Sequence, residues 1–328
     1  MSSNLFADAF GNAAELTAAI NVASYTPGTL AKLKQFSESG ISTVDAVIDY
    51  ATEVVRIIPT APRGGVAEPH QPGTESGVKI SALHIPTRAT IYADQVQDKR
   101  AFGATGFDSP LALRTRTLSA MRTNIEATIE GHRFGAIRGK VLDFDGTELL
   151  DLYALFGITQ TSLSLDLDVT TTPILNRVID AERASEDALG GAVPSGFIAL
   201  AAPDFMDALR LNPAYDTALR YGRPADLLKD FRTGITVGNT TFIECRTAPG
   251  LPVRIPAGEA YLVPQGVAGL LLTRYAPGDY MEAVNSPGLP LYMKSEELPF
   301  GKGYGLEAQS NPINFCSRPG AIIRLTSE

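Results

Sequence analysis

The sequence predicts an α+β protein whose helices and strands lie in separate stretches of the chain. Three observations carry this. Residues 110–134 keep one apolar stripe over an unusually long helical span. Residues 59–106 are crowded with Pro and Gly between strand-like flanks. From residue 159 onward, short apolar runs alternate with helical periods and then give way to strands separated by Pro/Gly turns. A chain of 328 residues holds one elaborate domain or two ordinary ones with a sizeable core.

Taken in order, Asn12 to Val22 and Thr29 to Phe36 carry apolar residues at irregular helical spacing, broken by Pro27-Gly28. Thr43 is placed to N-cap a further helix through Val44, Val47, Ile48, Ala51 and Val55. The whole segment reads as a lightly anchored arm. The stretch TAPRGGVAEPHQPGTESG (60–77) then excludes a helix or a buried strand, and IIPT before it and VKISALHIP after it read as strands. A long two-stranded excursion follows, and a loop of that length implies a role. Ser109-Pro110 opens the clearest helix, since Ser suits the N-cap and Pro the first helical position. Leu111, Leu118, Ile125 and His132 recur every seven residues, and Met121 and Ile129 fill the same face. Gly135 and Gly139 are expected to close this helix. Beyond it, Pro173 to Leu189 reads as an amphipathic helix and Gly196 to Ala201 as a buried strand. Asp204 to Leu211 and Ala225 to Phe231 read as helices, Thr240 to Arg246 and Glu259 to Val263 as strands.

Composition removes several function classes. The net charge of −8 is spread without blocks, so no concentrated basic face is available to neutralise phosphates. No run of about eighteen apolar residues exists to span a membrane. The first residues carry no basic leader or apolar core of a signal peptide, so export is not expected. Cys245 and Cys316 are far apart and lack CxxC spacing, which reads as two buried free thiols.

The strongest catalytic candidate is VLDFDGT at residues 141–147. It matches the aspartate signature of haloacid-dehalogenase-type phosphatases, with Asp143 as nucleophile and Asp145 as general acid around a magnesium ion. The same residues make a β-hairpin with Asp145-Gly146 as a two-residue turn. Context favours the hairpin. The motif follows more than a hundred residues and a long helix, and no adjacent Asp pair completes a metal site downstream. Asp166 and Asp168 sit in LSLDLDV, which reads as a strand with solvent-facing carboxylates. GKGYG at 301–305 lacks the spacing of a nucleotide loop and reads as a turn. His70, His84 and His132 have no metal spacing, and His132 reads as a packing histidine. Arg114, Arg116, Arg122, Arg133 and Arg138 read as a solvated or subunit-contact face. No catalytic, cofactor-binding or metal residue is assigned.

With the enzyme reading weakened, two stretches carry a family resemblance. HRFGAIRGKVLDFDGTELLDLYALFGI (132–158) is similar to the segment after the spine helix in phage major capsid proteins of the lambda E type. AYLVPQGVAGLLLTRYAPGDYMEAVNSPGLPLYMKSEEL, continuing to GLEAQSNPINFCSRPGAIIRL, resembles that family's C-terminal half, above all in YAPGDYMEAVNSPGLPLYMK and QSNPI. The resemblance implies an HK-ninety-seven-like capsid fold. It places an N-terminal arm at 1–51 and an extended E loop at 52–107. Residues 108–159 with 281–314 would be the peripheral domain, its spine helix at 110–134. Residues 160–280 would be the axial domain, rejoined by 320–328. It further implies self-assembly into hexamers and pentamers of an icosahedral head shell around double-stranded DNA, without cofactors. Scaffold, portal and decoration proteins are the partners implied, and covalent cross-linking through Lys79 or Lys99 in or near the E loop is not expected. A cellular encapsulin compartment shares the fold and stays as the alternative.

Overall fold

The computed structural model describes residues 9–10, 12–25, 28–51, 75–95, 109–169, 173–213, 234–247 and 254–328. Expectations for the excursion tip, IIPT and the helix at Ala225–Phe231 lie outside the described residues. The chain divides into two compact units: residues 1–46, 80–130 and 273–314 form unit 1, and residues 47–79, 131–272 and 315–328 form unit 2.

The long helix spans Pro110–Arg138 and is 29 residues long, roughly 43 Å at the α-helical rise. Ser109 Oγ accepts the amide of Ala112 at 3.1 Å, the expected N-cap. Thr115, Thr117, Thr123 and Thr128 each donate a hydroxyl to the carbonyl four residues earlier, which satisfies these polar side chains without a partner element. The helix runs through Gly135 instead of closing there, and stops before Gly139, whose φ is +84°.

In unit 1 the helix turns Leu118, Met121, Ile125 and Ile129 into a core shared with Phe10, Leu16, Ile20, Ile91, Leu291, Met293 and Leu306. Leu111, the first residue of the heptad pattern, stays outside it and is exposed. Three strands close this core: β4 (Ile85–Tyr92), β13 (Tyr292–Glu297) and β14 (Gly303–Ser310), with β14 central and antiparallel to both. A second three-stranded sheet, ordered β1-β12-β15, contains Ser37–Gly40, Leu271–Tyr275 and Pro312–Cys316.

Two expectations about the N-terminal segment fail. The helix Ala13–Val22 forms with Asn12 as N-cap, but it is not lightly anchored: Phe10, Leu16 and Ile20 are 0% exposed, and Phe10 stacks on Tyr304 at 5.3 Å. The helix expected from Thr43 is strand β2 (Asp45–Ala51), paired with β3 (Glu75–Ser81). Cross-strand partners decided this. The Ala82 amide donates to the Val44 carbonyl and Ser81 Oγ to Asp45 Oδ1, while β-branched Val44, Val47 and Ile48 fit a strand better than a helix.

Unit 2 is organised on a six-stranded sheet in the order β7-β16-β11-β8-β10-β9. Strand β8 (Gly196–Ala201) is buried almost throughout, runs parallel to β10 (Thr240–Glu244) and antiparallel to β11 (Glu259–Gln265). The last strand, β16 (Ile323–Thr326), inserts between β11 and β7 (Ser162–Ser164), while β9 (Ile235–Val237) forms the other edge. Helices Ile174–Leu189 and Pro203–Leu211 flank the sheet; Phe205 of the second stacks on Phe242 of β10. Asp166 does not lie on an alternating strand. Its φ of +45° ends β7 in a turn, where its carboxylate pairs with Arg177, while Leu165 and Leu167 are buried.

Replacing Phe10 by Ala should destabilise unit 1 by about 3–5 kcal/mol, the range for emptying a large core position. Urea unfolding would measure it; a change below about 1 kcal/mol would show that the segment is held only at its surface.

Candidate functional site

The hairpin after the long helix is formed by β5 (Lys140–Leu142) and β6 (Glu148–Asp151). Its connection differs from the two-residue turn expected. The Asp143 amide donates to the Thr147 carbonyl at 2.8 Å, and the Gly146 amide to the Asp143 carbonyl at 3.1 Å. Phe144, Asp145 and Gly146 therefore form a three-residue loop in which Gly146 alone takes a positive φ, +86°. Right-handed strand twist is matched here by a type I turn followed by one left-handed residue, so Asp145 needs no positive φ.

Both carboxylates serve this turn. Asp143 Oδ1 accepts the Phe144 amide at 2.8 Å, and Asp145 Oδ1 accepts the Thr147 amide at 2.9 Å. That amide, helped by the Thr147 hydroxyl, holds the Asp145 carboxyl below its ordinary range. The tip is exposed, with Phe144 86% accessible, so no described residue closes over it to enclose a substrate. Among the described residues no group of His, Cys, Asp and Glu is arranged to hold a metal ion. A magnesium-assisted phosphatase centre needs a shielded, shared metal, and this arrangement supplies none. Beneath the turn, Lys140 pairs with Glu148 at 2.9 Å and Asp151 at 2.8 Å, and these partners raise its pKa.

The remaining candidates are dispersed. His84 Nδ1 shares a hydrogen bond with Asn311 Oδ1 at 2.7 Å. His132 is buried as expected of a packing histidine, but its Nδ1 has no hydrogen-bond partner among the described residues, and burial lowers its pKa. His70 and Lys99 lie outside the described residues, and Lys79 lies on β3. Cys245 and Cys316 are buried thiols, Cys245 Sγ donating to the Ile243 carbonyl, and burial pushes the Cys316 thiol up to about 12. GKGYG is a tight turn leading into β14.

The arginines correct the sequence reading most. Arg116 is exposed, but Arg133 is buried, and Arg114 and Arg122 turn inward. Arg114 donates to the Ala9 carbonyl. Arg122 Nη1 donates to the carbonyls of Ile20, Asn21 and Ala23 at 3.2, 2.5 and 2.7 Å, and its guanidinium lies 4.4 Å from the Tyr25 ring centre. The helix Ala13–Val22 has no basic residue in its last turn, so its orphan carbonyls and negative dipole end are met by an arginine from the long helix. Arg318 does the same in unit 2, donating to the Leu189 carbonyl where helix Ile174–Leu189 ends. The signal available in sequence was weak: two helices ending without a cation imply a cap from elsewhere, without naming its source. The chemistry here is structural. It positions chain segments.

A family model described as phage major capsid protein E matches residues 12–327. The major capsid protein of Pseudomonas phage KPP10 is 29% identical over 253 residues, covering 70% of this chain and 72% of that protein. The major capsid protein of Salmonella phage Felix O1 is 22% identical over 352 residues, covering 96% of each. Among solved structures, the capsid of an empty GTA particle superposes with a TM-score of 0.56 at 10% identity, covering 93% of this chain and 92% of that one. The capsid of Ralstonia phage GP4 gives 0.53 at 11% identity, covering 89% and 87%. These likenesses carry the fold: an α+β, HK-ninety-seven-like capsid architecture.

Two sets of variants test the site. Gly146→Val should cost about 1–2 kcal/mol through its left-handed backbone alone, because a Cβ there meets nothing within 4 Å. Asp143→Asn keeps an oxygen for the Phe144 amide and should leave stability nearly unchanged; thermal melts separate the two. Arg122→Ala should lose about 1.5–3 kcal/mol by stranding the carbonyls it caps. A loss below about 0.5 kcal/mol in chemical denaturation would mean that water replaces the guanidinium without penalty.

Proposed function

This chain belongs to the phage major capsid protein E family and is a structural protein of the virion head, not an enzyme, and on that premise we propose that it assembles through hexamers and pentamers into a closed icosahedral shell around double-stranded DNA. The observation that carries this reading is the family match across residues 12–327, nearly the whole chain. Self-association follows from being a capsid subunit, since one 34.9 kDa chain encloses nothing alone. Curved closure requires heterologous contacts repeated around each capsomer. The net charge of −8 suits a wall that must not bind the DNA packed against it.

In this reading residues 1–51 act as the N-terminal arm and 52–107 as the E loop. Residues 108–159 with 281–314 form the peripheral domain around the long helix. Residues 160–280, with 320–328, form the axial domain. Assembly takes place in the host cytoplasm with a scaffold, a portal at one vertex, and a decoration protein outside. No helix among the described residues is long and apolar enough to cross a membrane.

Electron microscopy of the purified protein should show capsomers or closed shells, and virions should carry the chain with nuclease-protected DNA inside. Protein that stays monomeric across assembly conditions would overturn the reading. Shells filled with a cargo protein and no DNA would favour a cellular compartment instead. Magnesium-dependent phosphatase activity that vanishes in Asp143→Asn would restore the enzyme reading.

A further inference from the structure

We propose that residues 28–36 are a strap that detaches from unit 1 as its own cooperative segment, and that the Glu130 side chain is the latch that holds it down. The strap contains a five-residue helix, Thr29–Leu33, far shorter than a helix that is stable alone. Its N-cap is Gly28, which has no side chain to satisfy the first amides. Glu130 supplies the missing acceptor from 100 residues away: its Oε1 accepts the Leu30 amide at 2.8 Å in a buried setting. A charged acceptor at a helix N-terminus makes a strong hydrogen bond and opposes the helix dipole.

Gly28 is shaped to the same latch. A Cβ there would lie 2.3 Å from the Glu130 carboxyl carbon, so any other residue displaces the carboxylate. Beyond the helix the chain passes through Lys34 with a left-handed φ of 50°. Only Leu30 and Phe36 anchor the strap by burial, and Lys32 and Lys34 are exposed. The preceding helix is different, since Leu16 and Ile20, with Phe10 before it, are fully buried in the unit 1 core. The strap therefore leans on one carboxylate and two buried side chains where its neighbour shares a larger core, and an element with fewer buried contacts opens more readily. This goes beyond shell building and does not rest on it. For a subunit placed in unlike surroundings, it supplies a segment whose path can change while the core stays folded.

Hydrogen exchange of the full-length protein, read by mass spectrometry, tests this. In Glu130→Ala, amides within residues 29–36 should exchange roughly tenfold faster or more, while helix Ala13–Val22 and strands β8 and β11 keep their protection. Glu130→Gln keeps an oxygen acceptor without the charge and should give a smaller increase; Gly28→Ala should reproduce the effect of Glu130→Ala from the other side of the contact. Unchanged strap exchange in Glu130→Ala overturns the latch. Equal loss of protection in the strap and in helix Ala13–Val22 overturns the independence of the strap. If Glu130→Ala does not fold, Glu130→Gln and Gly28→Ala decide by the same criteria.

Discussion

Burial of one face of the long helix is the interaction on which unit 1 depends. Leu118, Met121, Ile125 and Ile129 reach inward along successive turns and meet residues from three distant stretches of chain: Phe10 to Ile20, Ile91 on β4, and Leu291 to Ala308 across β13 and β14. None of these partners has a core of its own. A 10-residue helix is marginal alone in water, and a three-stranded sheet needs its apolar face covered, so the shared apolar face makes them one structure. Each of these side chains removes enough apolar surface from water to matter against a total stability of a few kcal/mol.

Polar side chains of the same helix then set where the chain crosses it. Arg114 and Arg122 hold carbonyls at either end of the first helix, and Glu130 holds an amide at the start of the second. Arg122 and Glu130 follow the helix dipole, a cation at a C-terminal end and an anion at an N-terminal end, whereas Arg114 ties down a carbonyl that precedes the first helix. Apolar packing alone would tolerate a slipped segment at modest cost, whereas a buried cap left without its partner would not.

The local rules were legible where the signal was periodic or covalent. Ser109-Pro110 marks the helix start, Gly190 ends the helix Ile174–Leu189, and GFIALA is the buried strand it resembles. Failures cluster where a distant partner decides. Thr43–Val55 carries a helix-compatible pattern, yet within it Asp45–Ala51 is a strand, paired with β3. Gly135 looks like a stop, yet the helix continues through it. Arg122 looks solvated, because a sequence does not show that three carbonyls lie within its reach. The hairpin was legible as a hairpin, but its loop is one residue longer, with Gly146 alone taking the positive φ.

The sequence by itself determined the class of this protein: a long capped helix, a strand-rich return, and the phrases that mark the capsid family. These follow from short-range periodicity and steric preference, which any window of residues contains. Only the tertiary structure decided what the charged residues do. Asp143 and Asp145 became turn acceptors, Arg122 a helix cap and Glu130 the acceptor of the Leu30 amide, because a polar side chain takes its role from the nearest unsatisfied group in space. For Arg122 and Glu130, that group lies about a hundred residues away along the chain.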